Sequence, residues 1–246
     1  MATAPPARRA TLSARSSAGC ILGAVGLLAP PAAVGLIVAG GFLTPGYDPT
    51  KRTISRLAVS GLPAASVVEL AICLVGFAAI ALAIELGSGS KIGRSLLAIA
   101  GGALLVGAAV RLDPGSAWAT TEHRMAAAIA IVALAGAPVA FAQSLWRRNG
   151  WAFHGRVSLA FGAVEVGLLL AGVALLPTTF GAWGLWERSV LALPVVWMLV
   201  MSWRLLRTSR IEPMFSSIAE KSSWAIKVSA DDTVKAAAAS QSSGGE

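Results

Sequence analysis

Residues 18–43 read AGCILGAVGLLAPPAAVGLIVAGGFL, an apolar stretch without a single charged side chain. A helix of about 20 apolar residues crosses the hydrocarbon core of a bilayer, whereas the apolar part of a signal peptide is much shorter. The stretch therefore predicts a membrane-spanning helix that is retained in the mature chain. Pro30 and Pro31 remove two backbone donors near its middle, so we expect a bend there.

Further apolar stretches follow, and polar turns rich in glycine, serine, arginine and tryptophan separate them. They predict membrane spans at residues 63–86, 92–112, 122–145, 154–176 and 187–206. The predicted fold class is all-α, a polytopic transmembrane bundle of six spanning helices. The composition agrees, because 56% of the residues are hydrophobic and 13% are charged, against about 25% charged in soluble domains.

Lysine and arginine are more than twice as frequent in one set of connections and tails as in the other. By the positive-inside rule this asymmetry places both termini in the cytoplasm. We expect residues 1–16 to be a disordered basic tail, residues 17–206 the transmembrane domain, and residues 207–246 a mostly disordered cytoplasmic tail. The same rule accounts for the net charge of +8, so nucleic acid is not an expected partner. Membrane lipids are the expected partners. The alanine-rich composition suggests a bacterial plasma membrane.

The connection after the first span, PGYDPTKRTISRL at residues 45–57, is the most polar segment between two spans. Asp48 precedes Pro49, and this pair favours a helix start. We therefore predict a short helix over residues 49–58 that carries Arg52, Ser55 and Arg56 on one face. It is either a solvated, capped turn or an element that covers the bundle and binds a headgroup.

Several polar residues fall at the span ends and turns that should face outside. The ligand-binding candidates are Asp48, Arg52, Ser55, Asp113, His123, Glu187 and Arg188. Such residues either tie loops together or form a polar mouth. In the second case the arginines would hold the phosphate or carboxylate of a lipid headgroup or small polar solute, for binding alone or within a transport cycle.

An enzymatic alternative uses Ser55, His123 and Asp113, which have the residue types of a nucleophile, a base and an orienting acid. No nucleophile-elbow glycine pattern surrounds Ser55, so no catalytic residue is assigned and a non-enzymatic protein is the leading expectation. The two histidines, His123 and His154, fall on opposite sides of the membrane. The sequence therefore predicts no metal site and no cofactor. A structural or accessory protein without a ligand is the third alternative, and the oligomeric state stays open.

Two acidic residues lie away from the ends of the predicted spans. Glu165 lies near the centre of the fifth, where an ionisable side chain usually faces the bundle interior. It is either part of an ion or substrate route or a protonated acid that is hydrogen-bonded to a neighbouring helix. Glu69, which lies less deep and nearer the start of the second span, is expected to pair with Arg111 or Arg188.

Two motifs resemble a known family, the six-span membrane proteins grouped as domain-of-unknown-function family 998. They are Pro45-Gly46-Tyr47-Asp48-Pro49 and Thr53-Ile54-Ser55-Arg56-Leu57, and Asp113, His123 and the pair Glu187-Arg188 extend the likeness. It covers residues 18–206 and leaves out both tails. The resemblance implies a six-span integral membrane protein with a polar cluster on its outer side, and it implies no reaction.

Overall fold

The structure is a computed structural model that describes residues 6–86 and 89–208, with side chains from residue 19 onward. The chain divides into two compact units, Met1–Leu205 and Leu206–Glu246. The first holds the helices discussed below. The predicted C-terminal tail, residues 207–246, lies almost wholly outside the described residues, so that domain boundary stays a prediction.

Helices account for most of the described chain. Each is rich in apolar residues, and an apolar segment in lipid becomes helical because a helix satisfies every backbone donor internally. The long helices are α1 (Pro6–Leu43), α2 (Ala65–Glu85), α3 (Lys91–Ala109), α4 (Ala117–Trp146), α5 (Ala152–Leu175) and α6 (Trp183–Thr208).

Six helices of the described residues are long and apolar enough to cross a membrane, which confirms the predicted six-span bundle. Helix α1 continues through Pro30 and Pro31. It begins at Pro6 and so includes part of residues 1–16, for which the sequence predicts a disordered tail. Which side of the membrane each terminus occupies stays a prediction.

The helices pack in chain order, α1 against α2, α2 against α3, α3 against α4, and α4 against α5. Between α2 and α3 the backbones touch: a Cβ atom at Gly101 would lie 2.6 Å from the carbonyl oxygen of Gly76. Helix α6 reaches the others through Trp197, whose indole Nε1 donates to Ser158 Oγ on α5 and whose ring packs against Phe141 on α4. Large apolar side chains such as Phe42 and Leu170 point outward, as lipid contact requires.

The connections α1–α2, α3–α4 and α5–α6 meet at one end of the bundle, here called the loop end. A backbone bridge between Val59 and Leu112, with Ser60 N donating to Leu112 O at 2.9 Å, joins the first two. The α1–α2 connection contains a single 3₁₀ segment, Ile54–Ala58. The predicted helix over residues 49–58 is therefore wrong in its first half, because Thr53 has an extended backbone (φ −67°, ψ 156°) and the helical turns begin only after it.

Candidate functional site

The α1–α2 connection lies directly on the first turns of α6. The carbonyl oxygen of Thr50 accepts from Leu185 N at 3.0 Å. The carbonyls of Pro49 and Arg52 approach Gly184 so closely that a Cβ atom there would overlap both oxygens. Because glycine has no side chain, Gly184 allows the loop to pack against the start of α6.

The side chain of Arg188 stabilises this contact between the α1–α2 connection and α6. Its Nη1 donates to Pro49 O (2.7 Å), Gly184 O (2.9 Å) and Arg52 O (3.1 Å), and its Nη2 donates to the Tyr47 hydroxyl at 2.6 Å. The Tyr47 hydroxyl lies 3.0 Å from Arg52 O and 3.1 Å from Thr53 O. The guanidinium, which the sequence placed among the ligand-binding candidates, thus satisfies backbone carbonyls of the loop.

Glu187, the neighbouring residue, anchors the 3₁₀ segment. Its carboxylate Oε2 accepts from the backbone N–H of Ile54, the first residue of that segment. A carboxylate at the start of a helical turn satisfies donors that have no partner within the helix. Glu187 therefore fixes the position of Ser55 and Arg56, which follow Ile54.

Asp48 stabilises the turn that leads into this region. Its Oδ1 accepts from Thr50 N (2.9 Å) and Thr50 Oγ1 (2.7 Å), and Lys51 Nζ lies 3.7 Å from Oδ2. The hydrogen bond from the Thr50 hydroxyl, followed by the one from its backbone, lowers the pKa of Asp48 below its ordinary 3.8. Instead of capping a helix, the residue closes a local turn.

The lowered pKa of Asp48 sets the sign of a pH effect. A carboxyl group whose pKa is lower in the folded state stabilises that state above its unfolded pKa, and the contribution is lost as the pH falls through the folded pKa. We therefore expect Asp48→Asn to lower the melting temperature in detergent slightly at pH 6, and this difference from the wild type to shrink as the pH falls below 3.8 and to vanish once the pH is below the lowered pKa. A difference that persists unchanged in acid would contradict this role. Asp113→Asn is measured in parallel because Asp113 lies in a different turn.

His123 lies on the first part of α4 and is only 5% exposed. Its Nδ1 lies 2.9 Å from Gly107 O and 3.0 Å from Val110 O, at the end of α3. Carbonyl oxygens only accept, so Nδ1 carries the hydrogen and satisfies carbonyls that the end of α3 leaves without partners. Asp113 does not orient the ring in these contacts, since its Oδ1 accepts from Gly115 N at 2.8 Å.

A cleft of about 770 Å³ opens beside these elements, between the 3₁₀ segment, α4, α5 and the start of α6. Its end near the loops is polar, with Ser55, Arg56, His123, Arg124 and Glu187. Its other part runs between α4 and α5 and is apolar. That part is lined by Ala127, Ala128, Ile131, Val132, Leu169 and Val173.

Trp186 forms one wall of the cleft and is fixed by α5. Its indole Nε1 donates to Leu168 O at 2.9 Å, and its ring occupies the space where a Cβ atom of Gly172 would lie. Trp183 packs edge-on against it with the ring centroids 5.6 Å apart. The wall is therefore rigid and amphipathic.

Two arginines at the polar end of the cleft are exposed and are not used to hold the fold. Within residues 19–86 and 89–208, the guanidinium groups of Arg56 and Arg124 make neither a hydrogen bond nor an ion pair. This differs from Arg188, and from Arg111, whose Nε lies 2.6 Å from Glu69 Oε1 and so confirms the predicted pairing of Glu69. Arg56 and Arg124 are free to meet a ligand.

Arg52 lies in an adjoining pocket of about 720 Å³ on the same connection, together with Lys51 and Arg56. Arg56 and Trp183 line both spaces, so the polar end of the cleft continues into a basic surface. Deep in the bundle Glu165 is 2% exposed, as expected for a residue that faces the interior. His154 lies on α5 at the opposite end, and no group of His, Cys, Asp or Glu among the described side chains is arranged to hold a metal ion.

A family model described as "Protein of unknown function (DUF998)" matches residues 27–204 of the chain. The chain belongs to the DUF998 family. The match spans all six helices of the bundle, so the resemblance drawn from the loop motifs is confirmed. Comparisons of this DUF998 chain with curated proteins and with solved structures found no significant match.

Of the predicted site residues in this DUF998 chain, the structure brings Ser55, His123 and Glu187 to one cleft. Asp48, Asp113 and Arg188 do not line this cleft and have backbone partners. Arg56, Arg124 and the tryptophans of α6 were not among the predicted ligand-binding residues, although Arg56 was placed on one helix face with Arg52 and Ser55. The sequence signal that could have identified the arginines is their number on the predicted outer side. The positive-inside rule expects few charges of this sign there, so these arginines need a local use.

Proposed function

We propose that the protein binds a membrane amphiphile with an anionic headgroup in the cleft between α4, α5 and the 3₁₀ segment. The observation that carries the proposal is the combination of a long apolar wall with two arginines at its polar end that have no partner among the described side chains. The apolar wall has space for a hydrocarbon chain, and the arginines supply positive charge for a phosphate or carboxylate.

The size and lining of the cleft fit such a ligand. Sites for small molecules occupy about 300–1,000 Å³, and this cleft measures about 770 Å³. Its apolar part follows the helices away from the loop end, the direction in which an acyl chain of a bilayer lipid extends. Small side chains at Ala127 and Ala128 leave room where bulkier residues would close the gap between α4 and α5.

The charge of the polar end selects the headgroup. Arg56 and Arg124 have free guanidinium groups, which bind carboxylate and phosphate oxygens through paired donors. Glu187, the acid that lines the cleft, already accepts from Ile54 N and is used to hold the 3₁₀ segment. Arg52 and Lys51 in the adjoining pocket add positive charge for a headgroup that extends beyond the membrane surface.

The proposed location is the plasma membrane of a bacterium, with the loop end outside, because lysine and arginine are concentrated in the opposite connections and tails. Binding could serve transport or recognition of the amphiphile. The hydrolase alternative has less support from the contacts. Ser55 Oγ shares a hydrogen bond with Thr53 Oγ1 at 3.0 Å, and backbone carbonyls rather than Asp113 lie at His123 Nδ1.

The double variant Arg56→Ala/Arg124→Ala tests the proposal. Each lost contact is worth about 1 kcal/mol at an exposed site, so we expect the double variant to bind an anionic lipid at least tenfold more weakly. The measurement is native mass spectrometry of the detergent-solubilised full chain titrated with phosphatidylglycerol. Phosphatidylcholine, whose headgroup has no net charge, should bind weakly to both proteins.

The control is Arg147→Ala, which removes an exposed arginine at the opposite end of the bundle. It should leave the affinity for phosphatidylglycerol unchanged. Inorganic phosphate is added as a competitor in a second titration. If it displaces the lipid at low concentration, a free anion rather than a lipid is the ligand. Equal losses in the Arg56/Arg124 and Arg147 variants would show non-specific attraction and remove the proposal.

A further inference from the structure

Glu165 combines deep burial with a side-chain oxygen that has no partner. It lies on α5, in the middle of a membrane span, and its Oε2 is buried without a hydrogen-bond partner among the described residues. A carboxylate without partners is costly at that depth, and such residues in membrane proteins face the bundle interior for a functional reason. This carboxyl group belongs to neither the cleft nor the loop contacts described above.

A contact two helical turns further from the loop end indicates where Glu165 lies relative to α4 and α6. In that contact, Trp197 of α6 donates to Ser158 Oγ of α5 at 2.9 Å and packs on Phe141 of α4 with ring centroids 6.1 Å apart. Helix α5 runs antiparallel to α4 and α6. Two helical turns (about 10 Å) toward the loop end, the same faces therefore carry Glu165 on α5, Leu134 on α4 and Val190 on α6.

Two further contacts agree with this register. Gly162 of α5 faces Val139 of α4, since a Cβ atom there would lie 3.2 Å from Val139 N. Nearer the loop end, Trp186 Nε1 of α6 donates to Leu168 O of α5. Glu165 lies between these two levels. Leu134 and Val190 are themselves 2% and 0% exposed, as expected of residues on the interior faces.

Leu134 and Val190 share a second property. Each stands four residues before a proline inside its helix, Pro138 in α4 and Pro194 in α6. Proline has no N–H, so the carbonyl four residues earlier loses its normal helical donor. At the level of Glu165, both neighbouring helices therefore present a backbone carbonyl that lacks its usual partner.

The described parts of α4, α5 and α6 place no other charged side chain at this level. On α4 the ionisable residues are Glu122, His123 and Arg124 at the loop end, and Arg147 follows its opposite end. On α6, none lies between Arg188 and Arg204. On α5, the others are His154 and Arg156, near its start. An ionised Glu165 would therefore be buried without a counter-charge from α4, α5 or α6 at its own level, which disfavours the negative charge.

We infer that Glu165 is a proton-binding site: the protonated carboxyl group donates its O–H to the carbonyl oxygen of Leu134 or Val190, which Pro138 and Pro194 leave without a helical donor. A neutral acid satisfies these carbonyls and needs no counter-ion. The arrangement matches broken or proline-interrupted helices elsewhere, whose free carbonyls receive protons or cations. The site is independent of the proposed amphiphile cleft.

Infrared difference spectroscopy tests whether the proton is present. The full chain in lipid nanodiscs is compared with Glu165→Gln at pH 7. We expect the wild type to show the C=O stretching band of a protonated carboxylic acid, shifted by deuterium exchange, and Glu165→Gln to lack it. Glu122→Gln, which removes an exposed acid at the loop end, is the control and should keep the band. Absence of the band in the wild type at pH 7 would overturn the inference.

The prolines provide the test of the partner. Pro138→Ala and Pro194→Ala return an N–H to each carbonyl, so the pair should weaken proton binding and move the alkaline midpoint of the band down by about one pH unit. Pro30→Ala, a matched change in α1, should leave the midpoint in place. A midpoint unmoved by the double variant would overturn the role of the carbonyls.

Sodium separates a proton site from a cation site. The wild-type band is recorded at constant pH after KCl is exchanged for NaCl at equal ionic strength. We expect no change, and loss of the band in sodium would show that a metal ion rather than a proton is the ligand. The melting temperature of Glu165→Gln shows whether this variant folds. If it does not fold, the pH titration of the band in the wild type, compared with the titration in Glu122→Gln, tests instead whether a carboxyl group holds the proton.

Discussion

Arg188→Ala is expected to be among the most destabilising single changes at the loop end. The guanidinium donates to three backbone carbonyls and to the Tyr47 hydroxyl, and its loss leaves these acceptors without their main donor. Hydrogen bonds from a charged donor are worth about 1.5–3 kcal/mol each, and less where water can replace them. Because the site is partly open, we expect a loss of about 3 kcal/mol in the free energy of unfolding.

The measurement is unfolding by SDS titration in mixed micelles, followed by tryptophan fluorescence, with limited proteolysis of the α1–α2 connection. The variant should unfold earlier and be cleaved within residues 45–53. Arg188→Lys should recover only part of the stability, because an ammonium group cannot reach several carbonyls with the planar fork of a guanidinium. Arg124→Ala is the control, since that side chain holds no other part of the fold. An Arg188→Ala protein as stable as Arg124→Ala would show that the loop does not depend on this anchor.

The sequence was sufficient for the spans because lipid imposes a simple constraint. Any segment of about 20 apolar residues has to be helical to satisfy its backbone, so residue types alone locate it. The ends of the helices were less predictable. The sequence placed the fourth span at residues 122–145, whereas α4 begins at Ala117, because Ser116 Oγ caps it by accepting from Ala119 N. Polar residues at the membrane surface extend a helix without adding an apolar signal.

The site was predicted in part, for a physical reason. Sequence position located the polar residues at one end of the bundle, and it did not show the partner of each. Asp48, Asp113 and Arg188 turned out to bond backbone groups, and such bonds depend on loop geometry rather than residue type. Arg56 and Arg124 are separated by two spans in sequence, so only the packing of the 3₁₀ segment against α4 could show that they share a cleft.

Close helix packing could be predicted from the sequence only in part. Small residues four apart on the fifth span, Ser158 and Gly162 and also Ala163 and Gly167, would allow close approach in lipid. In the structure Gly162 faces Val139 of α4, whereas a Cβ atom at Gly167 would have no neighbouring atom within 4 Å. The close backbone contact of α2 and α3 is made by Gly76 and Gly101. Small residues are frequent in every span, and which of them faces a neighbour depends on helix rotation, which an almost uniformly apolar sequence leaves unspecified.

Gly101→Leu is therefore expected to disrupt the α2–α3 contact, and the adjacent Gly102→Leu is not. At position 101 a Cβ atom would lie 2.6 Å from Gly76 O and 2.6 Å from Ile80 Cγ1, whereas at position 102 nothing lies within 4 Å. The backbone of α2 has to move to admit any side chain at 101. Overpacking of this kind costs about 1–3 kcal/mol, and a contact with backbone belongs at the upper end.

The two glycines make a matched pair, because they are neighbours in the same helix and gain the same side chain. Leucine has a higher helix propensity than glycine by somewhat less than 1 kcal/mol, so Gly102→Leu should be neutral or slightly stabilising. SDS titration in mixed micelles should therefore separate the variants by about 3 kcal/mol or more. If both variants are equally stable, α2 and α3 do not meet at Gly76 and Gly101. The rotation of α3 would then have to be revised, and with it the contact between the end of α3 and His123.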